Sequence, residues 1–281
     1  MYAVHDPYRL PQLGILVGLF LLVVIIFGGK QGLRGLASLI GSFVFIFYLL
    51  LPGVIHGHSP LLITVAVSSL IIVLGSYVTH GFNRTTTAAV VGMIGTVTIT
   101  GVLAYVMVHY TRLSGFGSDE VVYLNLNAGG TIDIIGLLLG GIIIGLLGVL
   151  YDAAIGQSVS VDELTRIAPH VSRKKIYERA LRIGREHIGA LVNTLAIAYV
   201  GASLPLLLLF YQTSSGTLSH TINTEIFATE IVRIMIGSIG LVLAVPITTL
   251  VSMFMLVHPK TSNTVALHHE EEALEHAGHT H

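Results

Sequence analysis

The sequence predicts an all-α, polytopic transmembrane helix bundle of about seven spans, N-terminus outside and C-terminus in the cytoplasm. Three observations carry that expectation: the amount of apolar sequence, its division into bilayer-length runs, and the placing of Lys and Arg between the runs. Of 281 residues, 53% are hydrophobic and only 10% are charged, and mean hydropathy is +0.83. That composition leaves no room for a large soluble domain. Cysteine is absent, which excludes a disulfide framework and thiolate chemistry. Tryptophan is absent too, so Tyr and Phe must serve as the interfacial aromatics.

The apolar runs fall at 13–29, 35–54, 60–79, 87–109, 133–160, 187–210 and 228–256, each near the ~20 residues a bilayer requires. Residues 1–12 are expected to form an external N-terminus, 13–257 the bundle, and 258–281 a disordered, His- and Glu-rich cytoplasmic tail. The first run is followed by Lys30 and Arg34 and has no Ala-x-Ala pattern, so it reads as a retained anchor and not a signal peptide. Pro52 and Pro60 bracket a short turn, His56-Gly57-His58. Lys30, Arg34, Arg84, Lys260 and the seven basic residues from Arg166 to Arg185 fall in alternate loops, which sets the orientation. The loop with Asp119 and Glu120 is then external, and Asn83-Arg84-Thr85 is cytoplasmic and no glycosylation acceptor.

The basic loop is expected to contain a helix over about 170–186 that runs on into the sixth span. Pro169 ends the preceding span and Ser172 can cap the new helix. Ile176, Ala180, Ile183 and His187 share a stripe, with Arg173, Lys174, Arg179 and Arg182 around it. This fits a helix lying on anionic headgroups, or a docking surface for a cytoplasmic partner.

The most informative stretch is 141–164, apolar enough to cross a bilayer yet carrying Asp152. A charge at membrane depth costs from about 3 to more than 10 kcal/mol, so it marks a functional site by default. Gly141, Gly145, Gly148, Asp152 and Gly156 step by four, three, four and four, so they share one helix face. Small residues let another helix approach, which would turn Asp152 toward protein. Asn193, Thr194 and Thr248 lie at similar depth on the last two spans. Gly237 and Gly240 extend a small face on the last span, where Pro246 frees a backbone carbonyl. Three readings follow: Asp152 takes up and releases a proton or cation; hydrogen bonds to Asn193 and Thr194 merely fix helix register; or it sits near the inner interface and reaches water. His187 is a candidate proton carrier at the cytoplasmic face.

Glu230 and Arg233, three apart near the outer end of the last span, are expected to form a local ion pair or a latch between helices. Asp133 is either their partner or a solvated helix start. In the tail, His268 and His276 each stand four residues from Glu272, a weak metal-binding pattern. The chain carries no nucleotide loop, no His-Glu-x-x-His and no nucleophile elbow, so no enzyme, no cofactor and no nucleic-acid partner is expected.

Residues Gly29–Leu39, Gly53–Pro60, Gly148–Leu164 and Arg185–Phe210 resemble the YibE/F-like family, and the likeness covers nearly the whole chain. The resemblance implies a multi-pass protein of the bacterial cell membrane, of the shorter, YibF-like kind, without a large external domain. It implies as partner, besides membrane lipid, a YibE-like paralogue carrying that domain; an identical copy would serve as well. A fainter likeness links Gly148–Asp152, Val161–Arg166, Gly189–Leu195 and Gly237–Pro246 to SecF, the smaller half of a proton-driven export helper of the resistance-nodulation-division type. That likeness implies that Asp152 couples ion movement while Asn193 and Thr194 stand for paired threonines facing it. Tyr151 departs from the Asn of that pattern, His187 stands at a charged position, and the large domain after the first helix is absent. The function expected is half of an ion-coupled membrane machine. The alternatives are a non-transporting assembly subunit and, through the tail histidines, a metal-handling protein.

Overall fold

The computed structural model describes residues 8–169, 171–213 and 218–257, and its regular structure there is all helical. In chain order the helices are α1 Leu10–Phe45, prolonged through a π-helical turn Ile46–Leu50 into α2 Leu51–Ile55, then α3 Pro60–His80, α4 Arg84–Tyr110, α5 Asp119–Asn127, α6 Ile134–Ile167, α7 Arg173–Ala202, α8 Leu204–Thr213, α9 Leu218–Ile222 and α10 Glu225–Leu256. Five of these runs are long and apolar enough to cross a membrane: Leu10–Ile55, Pro60–His80, Arg84–Tyr110, Ile134–Ile167 and Glu225–Leu256. Arg173–Ala202 with Leu204–Gln212 makes a sixth if that pair, bent by 67°, is one broken span.

The difference from seven separate runs has two sources. The stretches 13–29 and 35–54 belong to one helical run of 46 residues. At 1.5 Å per residue an unbroken helix of that length would be about 69 Å long, twice the ~30 Å hydrocarbon core. It is not unbroken. Gly29 has φ +52° and ψ −137°, a backbone that glycine adopts freely. A Cβ on Gly32 would lie 2.6 Å from the carbonyl oxygen of Val24, whereas residues eight apart in a straight helix stand about 12 Å apart. The chain therefore folds back at Gly29. In the stretch 187–210, Pro205 lacks the N–H that would continue α7, and the helix breaks into α8 just before it.

Helix starts follow local chemistry. The Asn83 side chain accepts the Thr86 N–H at 2.7 Å, and Asp133 accepts the Gly136 N–H at 2.9 Å. Asp133 is thus the cap of α6 and not a partner of Arg233. Ser172 occupies the cap position of α7, but its side chain makes no capping bond. The stripe that α7 buries is Ile176, Ala180 and Gly184, while Ile183 and His187 are exposed. Ile176 and Ala180 pack with Ala88, Val161 and Leu256, so the segment lies on protein and not only on headgroups. Arg173 donates to the carbonyl of Val257, closing the C-terminus of α10.

The core lies between α4, α6 and α10 and the first half of α7. Helices α4 and α10 meet through exchanged small and hydroxyl side chains. A Cβ on Gly92 would fall 2.6 Å from Thr248 Oγ1, and one on Gly240 would fall 2.5 Å from Thr100 Oγ1. The antiparallel register of those two pairs sets Thr96 opposite Ala244 between them, both fully buried. On the other side, α3 and α6 run parallel: Pro60 meets Gly136, Thr64 meets Gly140, and the Tyr151 hydroxyl donates to the Gly75 carbonyl at 3.2 Å.

Gly92→Ala and Gly240→Ala should each cost about 1–3 kcal/mol, because the added methyl meets backbone or a pinned threonine. Gly148→Ala, with open space around it, should be near neutral. Thermal unfolding of the purified protein in detergent checks all three.

Candidate functional site

Asp152 lies on α6 beside Tyr151, whose hydroxyl binds both Gly75 and Thr79 of α3. That anchorage fixes the rotation of α6 and leaves Asp152 exposed on the single chain. Its carboxylate opens on a cavity of about 270 Å³ walled by α6, α7 and α10, with Gly156, Gln157, Ser160, Gly184 and His187 among its lining residues. The structure gives the carboxylate no hydrogen bond and no salt bridge among the described residues.

Two histidines flank it. His187 faces it across the cavity. Its Nδ1 donates to the Ile183 carbonyl at 3.2 Å, so in the neutral ring Nε2 is the acceptor. His80, the last residue of α3, is within electrostatic reach of Asp152, and its ring lies 5.9 Å from that of Tyr151. His80 also lines a second cavity, of about 370 Å³, with Asn83, Thr85, Asp162 and Arg166. There Asp162 is fully engaged: it accepts from Thr85 Oγ1 at 3.0 Å and pairs with Arg166 at 2.9 Å. Asp152, by contrast, has no such partner among the described residues and is set between two histidines on opposite sides of α6.

Gln157 holds the cavity's floor. It is 4% exposed, and its amide nitrogen donates to the Ala180 carbonyl at 2.7 Å and to Thr249 Oγ1 at 2.8 Å. Thr249 passes the bond on to the Val245 carbonyl at 2.6 Å. One side chain thus ties α6 to both α7 and α10. Gly184 makes room for it, since a Cβ there would fall 2.6 Å from Gln157 Oε1.

The expected partners of Asp152 are elsewhere. Asn193 and Thr194 are exposed, and Thr194 Oγ1 donates to Ala190 of its own helix at 2.9 Å. Thr248 is fully buried against Gly92, on the α4 side of α10, because that helix turns Val245 and Thr249 toward α6 and α7. The face shared by Gly141, Gly145, Gly148, Asp152 and Gly156 is open: all five residues are exposed, and a Cβ on Gly141, Gly148 or Gly156 would touch nothing. Gly145 is the exception, abutting the Tyr199 hydroxyl. The face that α6 buries carries Leu146, Leu150, Ala154, Gln157 and Val161. Gly237 and Gly240 are packed as expected, against Leu195 and Thr100. The missed residues were Gln157, Thr249 and His80. A legible signal existed for Gln157: it is the one amide in a run of apolar residues spaced by three and four.

At the opposite end of the bundle Glu230 and Arg233 form the expected pair, at 3.6 Å, and Ser203 Oγ donates to Glu230 at 3.2 Å. His268, Glu272 and His276 lie outside the described residues. Among the described residues no group of three or more His, Asp or Glu could hold a metal ion.

No curated protein and no solved structure matches the chain. The family model of YibE/F-like proteins matches residues 16–258. With its long apolar helices the chain is a multi-pass membrane protein. The match takes in both arms of α1, the Asp152 stretch and the whole of α10, and the chain belongs to the YibE/F-like family.

Proposed function

We propose that this YibE/F-like protein is half of a proton-coupled transport or export-assisting complex of the bacterial cell membrane, with Asp152 as the titrating carboxylate. The carrying observation is the setting of Asp152: a carboxylate without hydrogen bond or salt bridge among the described residues, on a cavity shared with His187 and within reach of His80. An engaged structural carboxylate looks like Asp162, with hydroxyl and guanidinium partners. An unengaged one beside two imidazoles is suited to exchange protons. The fainter likeness to SecF supports the same role. Taking the two arms at Gly29 as separate crossings, and α7 with α8 as one, gives seven crossings. The basic residues of α7 then face the cytoplasm with Asp152 near that side.

In protein-containing vesicles, an imposed potential should drive proton uptake, read by an entrapped pH dye. Asp152→Asn should insert and unfold like the parent while uptake falls by about a hundredfold, and Asp152→Glu should retain part of it. His187→Ala should slow uptake by about tenfold. Unchanged uptake in Asp152→Asn would remove the coupling role.

A second reading is an assembly subunit, favoured by the open glycine face of α6. Gly145→Leu is no clean test of it, since that side chain would strike Tyr199 within the same chain. Gly148→Leu is clean. Under this reading the variant keeps its thermal midpoint but loses its paralogue or second copy on size-exclusion chromatography; an unaltered complex rules the reading out.

A further inference from the structure

A cavity of about 250 Å³ lies at the end of the bundle away from Asp152, under the connection between α4 and α5, against the first turns of α6 and α10. Its wall carries Thr229, Glu230 and Arg233 from α10 and Ser118 from the connection. Two donors there are idle. Thr229 is 5% exposed, and neither its hydroxyl nor Arg233 Nε has a hydrogen-bond partner among the described residues. Buried donors are ordinarily satisfied, so each calls for an explanation.

Packing does not supply one. Thr100 and Thr248 also have unpartnered hydroxyls, but each is pressed against a glycine of the facing helix. Thr96, Thr194 and Thr249 bond the carbonyl four residues back. Thr229 makes no such bond, and its glycine contact is loose: a Cβ on Gly117, which lines the same cavity, would stay 3.4 Å from its hydroxyl, against 2.5 and 2.6 Å for Thr100 and Thr248. The cover is held in place. Glu225 accepts from the N–H and hydroxyl of Ser114 at 2.8 and 2.6 Å. Gly115, at φ +85°, passes so close to α6 that a Cβ would meet the Ile134 carbonyl oxygen at 2.9 Å.

The charge of the wall selects the ligand. Arg233 Nε and Thr229 Oγ1 ask for an oxyanion. Glu230, only 3.6 Å from the guanidinium, would leave a bound anion with a net negative surplus. An ammonium alone leaves a positive one. A molecule with both groups closes the balance. We infer that this cavity binds a small zwitterion, with Arg233 and Thr229 taking its oxyanion and Glu230 its ammonium group. A free amino acid and the headgroup of phosphatidylethanolamine share that chemistry.

The test is calorimetric titration of the full-length protein in detergent with glycine, acetate and methylammonium. Glycine should bind and neither half-molecule should. Thr229→Val, which exchanges the hydroxyl for a methyl of similar size, should keep the parent's thermal midpoint and weaken glycine by about tenfold. Glu230→Gln should invert the preference, binding acetate better than glycine. Repeating the glycine titration in nanodiscs separates the two sources. Binding lost in phosphatidylethanolamine but kept in phosphatidylcholine identifies the headgroup as the occupant, and binding kept in both identifies a free solute. No glycine binding in the parent, or binding indifferent to Thr229→Val and Glu230→Gln, overturns the inference.

Discussion

The close approach of α4 and α10 is the constraint on which the rest of the molecule depends. Lipid offers apolar side chains as good a home as protein does, so helices in a membrane are held by contact quality and not by the expulsion of water. Gly92 against Thr248 and Thr100 against Gly240 allow that contact and lock its register. Once α10 is fixed in rotation, its other faces are assigned. Thr249 is presented to Gln157, and Thr229 with Arg233 to the opposite end.

The bundle thereby has two polar ends joined by the same two helices. From Gly141, beside Arg233, to Asp152 is eleven residues of α6, or about 16 Å. Between them α6 and α10 are packed by Leu146, Leu150, Leu241 and Ala244, all fully or almost fully buried. A link between the two ends through this packing would need movement of these helices. The Gln157 amide, bonded to two neighbouring helices at once, is the joint that such movement would have to carry or break.

The helical class, the membrane character and the ion pair at 230 and 233 were legible in the sequence, because hydropathy and a spacing of three need no tertiary knowledge. The face of α6 that packs was not. Glycine spacing pointed to Gly141, Gly148 and Gly156, yet a stripe of small residues is equally compatible with a bare surface, and Leu and Ile are as welcome inside a membrane protein as outside it. Asn193 and Thr194 failed as partners of Asp152 for a related reason: similar depth on two helices says nothing about their rotation. Rotation here is set by Tyr151 reaching Thr79 and Gly75, a contact between residues more than seventy positions apart.

The reversal at Gly29 has a consequence of its own. The arm that precedes it, residues 10–28, buries nothing, with only Leu21 and Val24 shielded even in part. Such an arm is recognised within this chain by its oiliness and length alone. Its exact lettering is free to drift, Leu for Ile and Val for Phe, while the glycine at the hairpin and the residues facing it are not. Sequence variation in this family should accordingly pool in the first arm and stop abruptly at its hinge.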